Sequence, residues 1–198
     1  MYIALSKTIT CPLRLLLTVS FGLMLHGQAV SAEHSVNLLP LLKATSDWEK
    51  FNSELEWFDC GEISGQLYCS DLVRYYRAPV YLQAAKVGKQ VVRLSLSTDY
   101  SVLAYGDLQL NLRRDGFELI RAEKLGAQFD VKMALSRWPA AEADKRLIQF
   151  LNQGDRQQMV TLYWQAANAY PLAFATLTSD GKQITIVLTS TAPQPAGE

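Results

Sequence analysis

Histidine and cysteine are scarce in this chain: two histidines and three cysteines among 198 residues. His26 and Cys11 fall within the first 32 residues, which leaves His34, Cys60 and Cys69 beyond them. One histidine near a chain end supplies no base for Ser-His-Asp or Cys-His catalysis and no ligand set for zinc. Ser64 lies in Gly61-Glu62-Ile63-Ser64-Gly65, which is not a nucleophile elbow. A phosphate-cradling glycine loop and a dinucleotide fingerprint are both missing, so neither cofactor nor metal is expected. Charge of one sign is lacking as well, with 19 Lys and Arg against 19 Asp and Glu. Without residues 1–32 the balance is 17 to 19. Long-range attraction therefore favours neither nucleic acid nor an anionic membrane. No repeat, low-complexity stretch or domain-separating linker is visible.

The N-terminus carries a clear pattern. Lys7 and Arg14 precede an apolar run from Leu15 to Leu25, and no acidic residue occurs before Glu33. Val30-Ser31-Ala32 then places small residues where a signal peptidase reads. The run of 11 residues is too short to span a bilayer, which takes about 20. Residues 1–32 read as a cleaved secretory signal peptide, residues 33–190 as one globular domain and residues 191–198 as a loose tail. No later apolar run reaches spanning length, so no integral membrane span is expected in the mature chain. The compartment expected is the periplasm, with secretion as the alternative. The absence of an Asn-x-Ser/Thr acceptor fits a bacterial envelope.

An even cysteine count in an exported chain predicts a disulfide between Cys60 and Cys69. Gly61 and Gly65 allow the intervening chain to turn back. The spacing is not that of a Cys-x-x-Cys redox pair.

Ser46 and Glu49 are spaced as a capping box, and Trp48, Phe51, Leu55 and Phe58 follow at helical spacing. These predict a helix over 46–57, preceded by a packed lead-in or helical turn over 33–44. From Gln66 to Leu135 the period shifts to two. Val92, Leu94 and Leu96 alternate with polar residues, as do Leu108, Leu110 and Leu112, and then Phe129, Val131, Met133 and Leu135. Half-buried antiparallel strands read this way. Turns are expected at Gly88, at Asp115-Gly116 and at Leu125-Gly126. Pro139 opens a second helix with the stripe Ala143, Leu147, Phe150 and Leu151, closed by Gly154. Val160, Leu162 and Trp164 begin the last strands, and a hairpin over 172–178 and 183–190 turns at Asp180-Gly181. The fold class is α+β: a curved antiparallel sheet of about eight or nine strands, a meander plus a C-terminal hairpin, packed by two helices.

Two clusters are candidate sites. Arg74, Tyr75, Tyr76, Arg77 and Tyr81 have the composition of an interface hot spot, beside a Pro79 that marks a strand break or an edge strand. A protein partner, another envelope protein, could add to such an edge. The plainer reading is an edge strand with amphipathic tyrosines and solubilising arginines. Trp48, Phe51, Trp57, Trp138 and Trp164 could line an apolar cavity for a hydrophobic small molecule, or could fill the core. A catalytic route survives only through paired carboxylates, Glu54 with Glu56 or Asp59 with Glu62, in a hydrolase. The function expected is a non-catalytic exported protein-binding module acting in envelope assembly, adaptation or inhibition. A carrier or sensor of a hydrophobic small molecule is the first alternative and the carboxylate hydrolase the second.

Overall fold

A computed structural model describes residues 35–155, 158–168 and 170–192. The expected signal peptide and His34 lie outside these residues, as does the tail beyond Ala192. The described residues fall within one compact unit.

The chain opens with β1 (Ser35–Val36), α1 (Leu38–Ala44) and α2 (Trp48–Asn52). It continues through β2 (Phe58–Asp59), β3 (Leu67–Cys69), β4 (Val73–Tyr75), β5 (Ala78–Val87) and β6 (Gln90–Asp99). After α3 (Val102–Arg114) come β7 (Phe117–Lys124), β8 (Ala127–Asp130), α4 (Val131–Arg137) and α5 (Ala140–Leu151). The chain ends in β9 (Val160–Ala166), β10 (Phe174–Ser179) and β11 (Gln183–Thr189). This is an α+β fold on an open, mostly antiparallel sheet of 11 strands, in the order β1-β4-β5-β6-β11-β10-β9-β7-β8. β2 and β3 branch off β5. One pair, β1 with β4, is parallel.

Alternation along each strand sets one row of side chains inward. Leu82 and Ala84 of β5, Leu94 and Leu96 of β6, and Ile184, Ile186 and Leu188 of β11 are almost fully buried. So are Ala175 and Leu177 of β10 and Leu162 and Trp164 of β9. Leu38, Leu41 and Leu42 of α1, Phe51 of α2, and Leu108 and Leu112 of α3 complete the same core. Residues of the opposite row run in register across the sheet: Tyr81, Ser97, Thr185, Thr178, Thr161 and Glu123. That face is polar.

Several expected elements differ. Residues 108–112 form part of α3, not a strand. Leu108, Asn111 and Leu112 are buried at helical spacing while Leu110 is 45% exposed. Ser101 caps this helix by accepting the Ala104 N–H at 3.0 Å. Asp115-Gly116 is accordingly the helix C-terminus, with Gly116 at φ +84°, rather than a hairpin turn. The strand expected through Leu135 stops at Asp130, whose carboxylate accepts the Met133 N–H at 2.7 Å and starts α4. The first long helix is only Trp48–Asn52, and its cap is Asp47 rather than Ser46. In place of two helices the described residues form five, and the last hairpin enters the middle of the sheet instead of extending a meander. In β6, Val91 is buried and Val92 is 40% exposed, because a bulge at Ala85/Lys86 shifts the register with β5. The turns at Gly88, Leu125-Gly126 and Asp180-Gly181 join adjacent antiparallel strands as expected.

Candidate functional site

The segment 74–81 holds two strands and a tight turn. β4 pairs with β5 through Val73–Val80, Arg74–Pro79 and Tyr75–Ala78. Tyr76 begins the turn at φ +56°, an uncommon conformation for a side chain of that size. Asp115, at the C-terminus of α3, holds it there. Its carboxylate accepts the Tyr75 hydroxyl at 2.6 Å and the Tyr76 hydroxyl at 2.7 Å. Asn111, one helical turn earlier, donates its side-chain N–H to the Tyr75 carbonyl at 3.1 Å. Asp115 is 1% exposed. Burial lifts its carboxyl above the ordinary 3.8, against the pull of the two phenols. Burial likewise raises both phenols, Tyr76 to about 12. Tyr75 and Tyr76 therefore anchor a turn to a helix end, and Tyr75 is fully buried. Arg74 donates to the Arg77 carbonyl across the turn at 3.3 Å.

Arg77 and Tyr81 are placed differently: both are exposed. Pairing of β5 with β6 stops at Tyr81–Ser97, while β6 continues beside β11 to Asp99–Gln183. Pro79 stands just beyond that last pair, without an N–H to extend the ladder. The two strands part, and the start of α3 borders the gap. The result is a depression of about 460 Å³ whose lining includes Leu72, Arg77, Pro79, Tyr81, Leu103 and Asp107. Leu72, Tyr81 and Leu103 are 43%, 53% and 74% exposed. Leu72 and Leu103 were not among the expected site residues, because the chain around Leu103 carries an alternation that mimics a strand.

The five aromatics named for a cavity do not form one group. Trp48, Phe51 and Trp57 stack together with centroids 5.2–6.5 Å apart. Tyr68 of β3 lies 4.2 Å from Trp48, and Lys86 covers both rings. This cluster ties α2 to the β2–β3 hairpin. Trp138 sits between α4 and α5 under Arg146, with 4.2 Å to the ring centroid. Trp164 is wholly buried in β9, with Arg113 at 5.7 Å from its ring.

The disulfide Cys60–Cys69 joins the ends of the β2–β3 hairpin, with Cα atoms 5.9 Å apart. Asp59 organises the loop that it closes. Its carboxylate accepts the Gly61 N–H, the Gly65 N–H and the Ser64 hydroxyl at 2.7–3.2 Å. Those bonds, Gly65 foremost, hold its carboxyl below 3.8. Glu54, Glu56 and Glu62 are exposed. On the polar face, Tyr163 donates to Glu123 at 2.7 Å beneath Arg121, which lies 4.0 Å over the Tyr163 ring. Arg121 Nε is 3.3 Å from Glu123 Oε1 without hydrogen-bond alignment, an ion pair by distance alone. Among the described residues no metal-binding group of three or more His, Cys, Asp and Glu occurs. No described helix is long and apolar enough to cross a membrane.

The fold thus defines the chain as an α+β protein built on an open, mostly antiparallel sheet. No protein-family model, curated protein or solved structure matches it.

Proposed function

We propose that this is an exported, non-catalytic protein-binding module of the periplasm that uses the depression between β5 and β6 to hold another envelope protein. The observation that carries the reading is the convergence of exposed Leu72, Tyr81 and Leu103 with Arg77 around a recess about 460 Å³ in volume. Exposed apolar side chains gathered at one recess, with a tyrosine and an arginine among them, have the composition of an interface anchor. The partner would insert an apolar side chain between Leu72 and Leu103, with Arg77 meeting a carboxylate at the rim. Export is supported by the Cys60–Cys69 disulfide, a bond that persists in oxidising compartments. The leader ending at Ala32 would be removed. Action in assembly, adaptation or inhibition at the envelope fits a module that lacks a histidine-based or cysteine-based catalytic set.

The experiment places a photo-crosslinking residue at Leu103 in cells, with the same residue at Met133 of α4 as control. A discrete crosslinked protein at Leu103, absent at Met133 and lost when Arg77→Glu and Tyr81→Ala are added, is the expected result. Equal labelling at both positions would sink the assignment. The intact mass of the purified protein checks processing after Ala32.

A further inference from the structure

A second depression lies over the sheet between α3 and α5, and shares Tyr100 with the lining of the proposed protein-binding recess. Lys124, at the end of β7, points into the helix-covered side of the sheet in a row with Val160, Ser179 and Ile184. It is 5% exposed, and its ammonium donates to the Leu151 carbonyl at 2.7 Å. That bond caps the C-terminus of α5, whose last turn has no basic residue of its own. It uses one of three N–H donors. No salt bridge to Lys124 occurs among the described residues. A buried cation without an anion is costly, so something of opposite charge is favoured beside it.

Space for it exists. A recess of about 330 Å³ is floored by Lys124 and Ser179 and walled by Val102 and Tyr105 of α3 and by Ile148 and Leu151 of α5. Among the described residues no Asp or Glu lines it. Ser179 is 4% exposed, and its oxygen accepts the Gly181 N–H at 3.4 Å, which leaves its hydroxyl hydrogen able to donate. Tyr105 keeps its proton firmly, since burial and the neighbouring Tyr100 push its phenol up to about 12. Val102 and Ile148, at 67% and 58% exposed, give the mouth an apolar rim.

We infer that this recess binds a small amphipathic monocarboxylate, its headgroup on Lys124, Ser179 and Tyr105 and its tail between Val102 and Ile148. A single buried ammonium with neutral hydroxyl donors matches one negative charge, and the rim matches an alkyl tail. The inference goes beyond the protein-binding reading and does not rest on it.

The test titrates the purified full-length protein with octanoate, and separately with methyl octanoate, following amide shifts by NMR. Octanoate should perturb Val102, Tyr105, Ile148 and Leu151 and bind roughly tenfold tighter than the ester, the loss expected from one charge-assisted hydrogen bond. Lys124→Met should abolish that preference. Because this variant also removes the α5 cap, Ile148→Glu provides a second arm. At that exposed position a carboxylate leaves the fold intact but should repel octanoate more than its ester. Equal affinity for acid and ester, shifts confined to other surfaces, or no binding at all would each overturn the inference.

Discussion

Asp115 is the residue on which the candidate site turns, although sequence spacing marked it only as half of an Asp-Gly turn. It joins the end of α3 to two consecutive tyrosines about 40 positions earlier in the chain. A link between positions that far apart cannot be read from local pattern. Composition singled out Tyr75 and Tyr76 for recognition; in the structure both hydroxyls donate to Asp115, Tyr75 from a buried ring and Tyr76 from a half-buried one. Tyr75→Phe should destabilise the protein by about 1–3 kcal/mol, since it leaves a buried carboxylate short of a donor. Denaturant titration measures this. The pH dependence has a definite sign. A carboxyl raised by burial binds its proton more tightly in the folded state. Its contribution is therefore fully present below the unfolded value of 3.8 and is lost as pH rises through the raised folded value. Relative to Asp115→Asn, the wild type should lose stability over that window. A difference that stays flat, or grows with pH, would show that the carboxyl is not raised.

At the scale of elements, strands were legible where turn chemistry bounded them. Gly88, Gly126 and Gly181 each take a positive φ between paired antiparallel strands, and those hairpins lie where expected. Misreading came where a short alternation satisfied two periods at once. Leu108 and Leu112 are four apart, which suits one face of a helix as well as one face of a strand. The signals that decide the case were present: Ser101 as cap, Arg113 and Arg114 in the last turn, and a glycine just past the end. The helix reading makes a prediction that a strand would fail. Leu112→Ala should lower stability by about 2–5 kcal/mol, as deletion from a core does. Leu110→Ala should change it by no more than about 0.5 kcal/mol. On a strand the two leucines would share a face and respond alike. For the hairpin closed by Cys60 and Cys69, replacing both by serine should cost about 2–3 kcal/mol in the chain-entropy model, read from the denaturation midpoint.

For the whole molecule, the class was legible from the succession of helical and strand periods, but the strand order was not. Period and turn signals describe neighbours in sequence, and here the last two strands of the chain sit in the middle of the sheet. β11 pairs with β6 and β10 with β9, so the hairpin is the hydrogen-bonded link between β1–β6 and β7–β9. These pairings close long loops, and Ile184, Ile186 and Leu188 bring a fully buried row to the junction. The sheet cannot be completed until the C-terminal residues are in place, which couples both halves into one cooperative unit. Ile186→Ala should therefore destabilise the entire protein by about 2–5 kcal/mol, lowering protection of β5 and β7 amides together. A chain ending at Tyr170 should give no sharp denaturation transition at all. If β4–β6 in that shortened chain kept native hydrogen-exchange protection, the N-terminal half would be an independent folding unit. The recess at β5 and β6 would then owe its shape to local packing instead of the completed sheet.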